Sequence, residues 1–408
     1  MQPQATITSK SRIAIVGAGV SGLSLAAELR RQGFEPQIFE QAPEMGVVGA
    51  ALFLSSNSIR LIEQRFDASD KVISTSFPVE SVIHRDAYTG EVVAEMMTGA
   101  EYEARTGSRG YGIHRANLQA LLVGIVGLEN IHLDKRLTNV ADNGNEVVLT
   151  FADGSTHAAD FVIGADGARS VLRRHIVGYN DAIYSGCYAY RGMIAPEDIG
   201  DLPTPDSMQF WMADNGHALH YPIAGQSQNF LLVKRSAGPW PHKAWTAPAE
   251  EGEHLKYFAG VHERLEHVLT KMKTGQKWGM FYTYPLHEWS RGRVTLMGDA
   301  AHAMLPHYGQ GANTSIEDAI VLADLLTDGA ANSRDLRDIQ AEYQGKRIDR
   351  TRKIQIASAA TGDLLHVSTP EAKARRAEKL QREGAWDHML SWVHEFDASA
   401  QTSVPASK

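Results

Sequence analysis

The fold of this chain is decided by the stretch Ile13-Ala14-Ile15-Val16-Gly17-Ala18-Gly19-Val20-Ser21-Gly22. Its apolar first half predicts a buried strand, and the periodicity over 20–32 predicts a helix. Between the two, Gly17 permits a tight turn and Gly19 lets the backbone approach a pyrophosphate, while Gly22 lets the helix pack on the strand. The helix N-terminus then faces the negative charge. We therefore predict a dinucleotide-binding unit, although the glycines alone do not separate FAD from NAD.

The next strand supplies a second contact for such a ligand. Residues 37–40 have strand character and complete a strand–helix–strand unit. Glu40 ends this strand, 18 residues after Gly22, where it is placed to accept a hydrogen bond from a ribose hydroxyl. The alternative interpretation is a glycine turn that binds no ligand.

Further along the chain, the pattern changes from buried strands to alternating ones. A buried strand at 161–164 is expected to return to the first domain, as is a strand at 293–297. Aromatic-rich alternating runs between them predict an antiparallel sheet. These runs lie at 184–193, 208–212, 218–223 and 230–234. We also predict a hairpin (82–86 with 91–96), one helix near 255–272, and helices at 314–326 and 334–358.

The composition excludes several classes of protein. A formal charge of −8 over 408 residues argues against nucleic-acid binding, which normally needs a basic surface. No apolar run approaches the ~20 residues of a membrane span, and residues 1–11 lack the apolar segment of a secretory signal. Cys187 is the single cysteine, so no intramolecular disulfide forms. We therefore predict a cytoplasmic protein without a nucleic-acid or membrane partner, as a monomer or homodimer.

Two further motifs follow the first glycine motif in sequence. The first is Ile163-Gly164-Ala165-Asp166-Gly167-Ala168-Arg169-Ser170, where a strand ending in Asp-Gly gives a tight turn with an acceptor side chain. A plain turn is the alternative interpretation of that motif. The second is Gly298-Asp299, followed by Gly309-Gln310-Gly311-Ala312-Asn313 before a helix. A carboxylate such as that of Asp299 suits hydroxyl groups of a ligand, and the helix N-terminus suits negative charge.

The three motifs in this order resemble the single-component (class A) FAD-dependent aromatic hydroxylases, the family of salicylate hydroxylase and para-hydroxybenzoate hydroxylase. The resemblance covers about 12–359, and 6-hydroxynicotinate 3-monooxygenase-like enzymes look similar. It implies an α/β fold with a glutathione-reductase-type FAD-binding domain (Rossmann-like βαβ), an antiparallel-sheet substrate lobe and C-terminal helices. The predicted segments are a disordered leader (1–11), the FAD-binding domain (12–180 and 286–360), the sheet lobe (181–285) and a C-terminal helical tail (361–408).

The resemblance also implies a reaction. NADH or NADPH reduces FAD, O2 forms the flavin C4a-hydroperoxide, and a phenolic or hydroxylated N-heteroaromatic ring takes one oxygen atom. The ring is expected to carry a carboxylate, and the hydroxylation to proceed with or without decarboxylation. Two alternatives stay open: a flavin monooxygenase of a purine-like, alkaloid or polyene substrate, and an FAD-binding sensor or regulatory protein that hydroxylates nothing.

The motif positions imply the residues that contact FAD. Arg115 matches an arginine over the FAD phosphates, and a cation at a helix start needs such an anionic partner. The resemblance assigns Asp299 to the ribityl chain and the 309–313 loop to the pyrimidine side of the flavin. The predicted cofactor residues are Gly17, Gly19, Gly22, Glu40, Arg115, Asp166, Gly167, Asp299, Gly309, Gly311, Ala312 and Asn313.

Three residues are predicted to be catalytic. The Pro306-His307 pair matches a dipeptide of salicylate hydroxylase-like enzymes, and a histidine of near-neutral pKa can hold or relay a phenolic proton. The alternative is a structural histidine. Arg191 suits a substrate carboxylate, but it could equally hold a flavin loop or a surface acid. Tyr221 is the third. The predicted substrate-binding residues are Tyr190, Arg191, His220, Tyr221, Pro306 and His307.

Other positions give more limited expectations. Because strand side chains alternate, only one of His220 and Tyr221 can face a pocket, and we favour Tyr221. No pair among the 17 histidines has convincing zinc spacing, so no metal is predicted. The basic stretch 347–353 is predicted to be a solvated helix face. Ala51 and Phe53 depart from the family pattern, and Phe53 stands where hydroxynicotinate-type hydroxylases carry a histidine, which leaves the substrate open.

Overall fold

The computed structural model describes residues 6–46, 51–66, 68–179, 181–385 and 387–402. The strands are β1 (Ile13–Val16), β2 (Gln37–Phe39), β3 (Ala51–Leu54), β4 (Ser76–Pro78), β5 (Ser81–Asp86), β6 (Val92–Met97), β7 (Tyr111–His114), β8 (Ile131–His132), β9 (Leu137–Asp142), β10 (Val147–Phe151), β11 (Thr156–Ala159), β12 (Phe161–Gly164), β13 (Ile183–Ile194), β14 (Met208–Ala213), β15 (Gly216–Pro222), β16 (Gln228–Arg235), β17 (Thr246–Pro248), β18 (Gln276–Tyr282), β19 (Ser290–Arg291) and β20 (Val294–Leu296).

Helices surround these strands. They are α1 (Val20–Arg31), α2 (Ser56–Arg65), α3 (Ser69–Ser74), α4 (Ala100–Thr106), α5 (Arg115–Val126), α6 (Val171–Val177), α7 (Glu253–Tyr257), α8 (Glu263–Lys271), α9 (Asp299–His302), α10 (Gly311–Asn332), α11 (Leu336–Leu365), α12 (Pro370–Gln381) and α13 (Trp392–His394). Short 3-10 turns add Leu128–Asn130, Pro196–Asp198, Ala224–Gln226, Pro306–Tyr308 and Ser399–Gln401, and a π turn spans Asp387–Ser391.

The first domain is built on a mostly parallel sheet. Its strand order is β19-β20-β12-β1-β2-β8. The five strands from β20 to β8 in this order pair with one another in parallel. All four residues of β1 are buried, as an apolar strand covered on both faces must be. The strands predicted at 12–16, 161–164 and 293–297 therefore meet in one sheet, which confirms the predicted α/β cofactor domain.

The second sheet forms the lobe. Its eight strands run β17-β18-β13-β16-β15-β14-β5-β6, with antiparallel pairing except for the parallel pair β14–β5. The four predicted aromatic-rich runs correspond to β13, β14, β15 and β16. Three parts were not predicted in this sheet: β17, β18, and the hairpin β5–β6, which comes from within the segment 12–180.

The two faces of the lobe sheet pack against different partners. One face, with α7 and α8, buries a cluster that includes Tyr190, Trp211 and Phe230. The other face buries Phe210, Tyr221 and neighbouring apolar side chains towards the first domain. Because alternate residues of one strand belong to different clusters, the strand period decides which predicted residues can reach a cavity between the domains.

Several elements differ from the sequence prediction. The single helix predicted near 255–272 is two helices, α7 and α8, because Gly260 between them has a left-handed φ of 76°. The three-stranded sheet β3-β7-β4 was missed. Residues 6–11 are not a disordered leader: Thr6 bridges Asp335, and Ile7 is fully buried. Residues 1–5 lie outside the described part of the chain.

The basic stretch of α11 is solvated only in part, contrary to the prediction, because Lys353 is exposed whereas Arg347 and Arg350 are buried. Arg347 has no exposed surface and contacts Glu317 and Asp318 at 2.7 Å each. Arg350 also contacts Glu317, at 2.6 Å. Burial raises the pKa of Glu317, but the two arginines outweigh it and hold the pKa below its ordinary value. These buried ion pairs join α11 to α10. Among the described residues, no helix is both long and apolar enough to cross a membrane.

Candidate active site

A cavity of about 370 Å³ lies between the parallel sheet and the lobe. Residues from all three sequence motifs line it, together with side chains of β5, β13, β14, β15 and β16 and of the C-terminal helices. The volume falls within the range of small-molecule sites, which favour such positions between domains. The described part of the chain therefore has a small-molecule site where the motifs and the lobe meet.

Close backbone contacts bring the three motifs together. A Cβ atom added at Gly17 would lie 2.2 Å from the carbonyl oxygen of Ala165, in the second motif. A Cβ added at Gly298, in the third motif, would lie 2.4 Å from Ser21 Oγ at the start of α1. Glycine at Gly17 and Gly298 is therefore required by the approach of neighbouring chain segments.

The residues around the first motif leave room for a dinucleotide. A Cβ added at Gly19 would meet no atom within 4 Å, so this backbone faces open cavity. Arg115 lines the same cavity from the start of α5, and the Asp299 side chain is exposed at the start of α9. These groups fit a ligand that carries both phosphates and hydroxyl groups, as FAD does.

Two predicted cofactor residues also have protein partners. The Glu40 carboxylate accepts hydrogen bonds from the backbone N–H of Ala18 at 2.7 Å and of Ala42 at 2.9 Å, which ties the glycine turn to β2. Asp166 Oδ2 accepts from the N–H groups of Val171 and Leu172 and caps α6, while its Oδ1 atom has no partner among the described residues. Burial raises the pKa of Asp166. Neither residue lines the cavity directly.

The predicted role of Asn313 needs correction. Its side chain has no exposed surface and is fully engaged by the protein. The amide nitrogen donates to the carbonyl oxygens of Phe53 and Gly309, and the amide oxygen accepts from the Ser55 N–H and Ser58 Oγ–H. Asn313 therefore holds the 309–313 loop against β3, whereas Gly309, Gly311 and Ala312 line the cavity.

The strand period separates the predicted substrate residues into two groups. Arg191 on β13 and Tyr221 on β15 line the cavity. Their neighbours Tyr190 and His220 point to the opposite face, so both substrate-binding predictions are wrong. Tyr190 is buried near Tyr188, and His220 bonds Gln228 Oε1 at 3.0 Å through Nδ1. The preference for Tyr221 over His220 follows the observed geometry.

Positive charge concentrates where Arg191 enters the cavity. Arg191 has no ion pair in the described chain, and its Nε atom is buried without a hydrogen-bond partner. Its guanidinium carbon lies 5.6 Å from the centre of the Trp278 ring. Burial lowers the pKa of Arg191, and the nearby charge of Arg115 lowers it further. The two neighbouring cations favour an anionic ligand.

His307 lines the cavity, but its ionisation differs from the expectation. Burial lowers the pKa of His307 to about 4 rather than leaving it near neutral. Its Nδ1 atom has no hydrogen-bond partner in the described chain. Two further histidines pack around it, with ring centres 5.4 Å away for both His217 and His366. His307 is therefore a neutral imidazole at neutral pH.

Sequence reasoning missed several cavity residues. His217 does not line the cavity itself but packs against His307, and it lies in the same alternating register as Tyr221, a signal that was available in the sequence. Others come from parts of the chain without a motif, and no local signal could have found them. These residues are His84, Met208, Asn229, Met389, Leu390 and His394. Phe53, which the sequence analysis noted as a departure from the family pattern, also lines the cavity.

Buried neutral histidines predict a loss of stability in mild acid. Burial depresses the pKa of each, to about 4 for His220 and His307 and to about 3 for His366. The unfolded chain binds these protons near pH 6.5, so the stability is complete above that pH and is lost as the pH falls towards 4. The His307 shift alone corresponds to about 3 kcal/mol.

Thermal unfolding between pH 7 and pH 5 measures this effect, because most carboxylates stay ionised there. The melting temperature is expected to fall with pH, and His220→Gln should flatten the curve. A constant melting temperature over this interval would contradict the neutral state of these buried histidines.

The fold and the cavity define an α/β protein with a dinucleotide site joined to a small-molecule pocket. Residues 10–355 match the model of the FAD binding domain family. A 3-amino-4-hydroxybenzoate 2-monooxygenase of Streptomyces platensis is 32% identical over 392 residues, 96% of this chain and 97% of the relative. A 6-hydroxynicotinate 3-monooxygenase of Pseudomonas fluorescens is 32% identical over 353 residues, 86% of this chain and 90% of the relative.

Solved structures show the same architecture. A salicylate hydroxylase in complex with its substrate matches with a TM-score of 0.81 and 27% identity over 96% of this chain and 97% of that one. HpxO of Klebsiella pneumoniae, solved with FAD and uric acid, matches in fold, with a TM-score of 0.83 and 24% identity over 96% and 97% of the two chains. The chain belongs to the FAD binding domain family and is an FAD-dependent aromatic-ring monooxygenase.

Proposed function

We propose that this enzyme uses NADH or NADPH and O2 to hydroxylate a phenolic or hydroxylated N-heteroaromatic ring that carries a carboxylate. The observation that carries this proposal is that one cavity is lined both by Arg191, which has no ion-pair partner in the described chain, and by the neutral imidazole of His307. An arginine recognises a carboxylate, and an imidazole recognises a hydroxyl group. The relatives act, by name, on an aminohydroxybenzoate and a hydroxynicotinate, which have both groups.

FAD, when bound and reduced, supplies the activated oxygen. The chain would hold it through the α1 N-terminus at Gly19, the Arg115 guanidinium and the Asp299 carboxylate, all of which line the cavity. The start of α10, after the 309–311 loop, contributes the positive end of a long helix. The two helix N-termini and Arg115 favour negative charge on the ligand.

Arg191 and Tyr221 orient the substrate. Both side chains enter the cavity from the lobe sheet, where antiparallel pairing fixes their positions. Burial raises the pKa of Tyr221, so its hydroxyl stays protonated and can donate a hydrogen bond to the substrate. A carboxylate bound by Arg191 would place the ring in the apolar part of the cavity, against Phe210 and Leu231.

His307 holds the proton of the substrate hydroxyl. A neutral imidazole accepts this hydrogen bond, and the shared proton increases the electron density at the ring carbon that takes oxygen. The apolar walls exclude water, which strengthens these polar contacts and limits wasteful side reactions. The chain thus orients the ring, increases its reactivity and keeps it dry.

Substrate-stimulated oxidation of NAD(P)H tests this function. The FAD-loaded enzyme is assayed with 3-amino-4-hydroxybenzoate, 6-hydroxynicotinate, salicylate and urate, and products are identified by mass spectrometry. Stimulation and a hydroxylated product with a carboxylated ring are expected. Stimulation by urate alone would replace the proposed substrate class, and bound FAD without stimulation by any compound would contradict the proposal.

Replacement of Arg191 by methionine removes the charge but keeps much of the apolar stem. KM for a carboxylated substrate is expected to rise about 100-fold, because a buried carboxylate then loses its partner. The matched control is Arg235→Met, which removes an exposed arginine of the neighbouring strand. A fall in FAD content with an unchanged KM would instead assign Arg191 to the cofactor.

A further inference from the structure

Three histidines from distant parts of the chain converge beside the cavity. His217 lies on β15, His307 in the Pro306–Tyr308 turn, and His366 directly after α11. All three are buried, with exposed fractions of 0%, 5% and 2%. One ligand nitrogen from each lies within 4.8 Å of the other two. Because the three histidines are far apart in sequence, no local zinc-ligand spacing indicates them.

The three rings are arranged around a common centre. The ring centres are 5.0 Å apart for His217 and His366, and 5.4 Å apart for each of the other two pairs. A tetrahedral zinc ion, with Zn–N distances of ~2.0–2.1 Å, holds the centres of its imidazole ligands about 5 Å apart. The observed triangle therefore matches the spacing of a three-histidine zinc site.

The hydrogen bonds of the cluster occupy only some of its ligand nitrogens. His217 Nδ1 and His366 Nε2 lie 2.8 Å apart and share one proton, so a bound ion must displace that proton and separate the two nitrogens. His217 Nε2 and His307 Nδ1 are buried without a partner in the described chain. Unpaired buried nitrogens are rare and need an explanation.

The surroundings support the same arrangement. His366 Nδ1 lies 3.9 Å from Cys187 Sγ, on the side of the ring away from His217, so Cys187 can orient His366 without binding the ion itself. Gly362 lets the His307 ring lie against α11, where an added Cβ would be 2.5 Å from the ring. The cavity provides the entry path, because His307 lines it.

We propose that His217, His307 and His366 form a binding site for one divalent transition-metal ion of the zinc class, with its fourth position open to the cavity. Three imidazoles without a carboxylate favour zinc, copper or nickel over magnesium or calcium. Because His307 is shared, a bound ion removes the imidazole from the substrate hydroxyl. Zinc therefore inhibits hydroxylation.

Zinc binding to the FAD-loaded enzyme tests this site without any assay of turnover. Zn²⁺ is titrated in competition with a chromogenic chelator, for the wild type, His366→Gln and the control His220→Gln. His220 is equally buried but lies on the other face of the lobe sheet. One tight zinc per chain is expected in the wild type and the control, with affinity at least about 100-fold lower in His366→Gln.

Equal zinc affinity in all three proteins, or no tight zinc in the wild type, would overturn the site. If His366→Gln does not fold, His217→Gln replaces it in the same comparison. Zn²⁺ should also raise the melting temperature of the wild type and not that of the variant. Because these measurements need no substrate, their failure is distinct from a failure of the proposed hydroxylation.

Discussion

Gly19→Ala is expected to give a folded protein that no longer retains FAD. The added methyl group meets no protein atom within 4 Å, and the φ of −75° at this position suits alanine. The methyl would project into the space that the pyrophosphate needs next to the start of α1. We expect FAD affinity to fall by about 100-fold, or about 3 kcal/mol. Fluorescence titration of the apoprotein with FAD measures this loss.

The matched control is Gly124→Ala. Gly124 is an exposed position of α5 where an added Cβ also meets nothing within 4 Å, so FAD affinity should be unchanged. A contrasting variant is Gly22→Ala, whose methyl would lie 2.0 Å from the carbonyl oxygen of Gly17 and should lower the melting temperature itself. Normal FAD affinity in Gly19→Ala would remove the first motif from the cofactor site.

His307→Gln is expected to separate cofactor binding from hydroxylation. Glutamine fills similar space, but it does not hold the hydroxyl proton as imidazole does. The rate of product formation should fall about 100-fold or more, within the range for loss of a proton-transfer group. FAD content should stay normal, and NAD(P)H oxidation should continue with release of hydrogen peroxide. Product yield per NAD(P)H consumed is the measurement.

His220→Gln is the control for this experiment. His220 is a fully buried histidine whose pKa is also depressed to about 4, but its ring faces the other side of the sheet. Its replacement should cost stability and leave the product yield unchanged. Equal loss of product in both variants would show that general destabilisation, and not the position of His307, causes the effect.

The sequence predicted the cofactor domain well because its signals are local. The apolar strand and three glycines of 13–22 fix a strand, a turn and a helix within a few residues of one another. The same holds for the 163–170 motif and for the alternating runs of the lobe. The alternation of side chains along a strand also favoured Tyr221 over His220 as the residue that reaches the cavity.

The cavity wall could not be predicted in the same way. Whether Tyr190 or Arg191 faces the substrate depends on the register of β13 against β16 and β18, which is a tertiary property. Asn313 belongs to the third motif, but its side-chain amide donates hydrogen bonds to Phe53 of β3 and to Gly309 and is therefore not available to a ligand. His366 reaches His217 across 149 positions of sequence, so its contact has no local signature.

The most direct test of ring hydroxylation by this enzyme is the origin of the oxygen atom in the product. The FAD-loaded enzyme turns over its best substrate from the panel under isotopically labelled O2, and mass spectrometry reads the product. We predict one labelled oxygen atom on the aromatic ring, with none acquired from water. A ring product labelled from water, or labelled hydrogen peroxide with an unmodified ring, would contradict hydroxylation at this site.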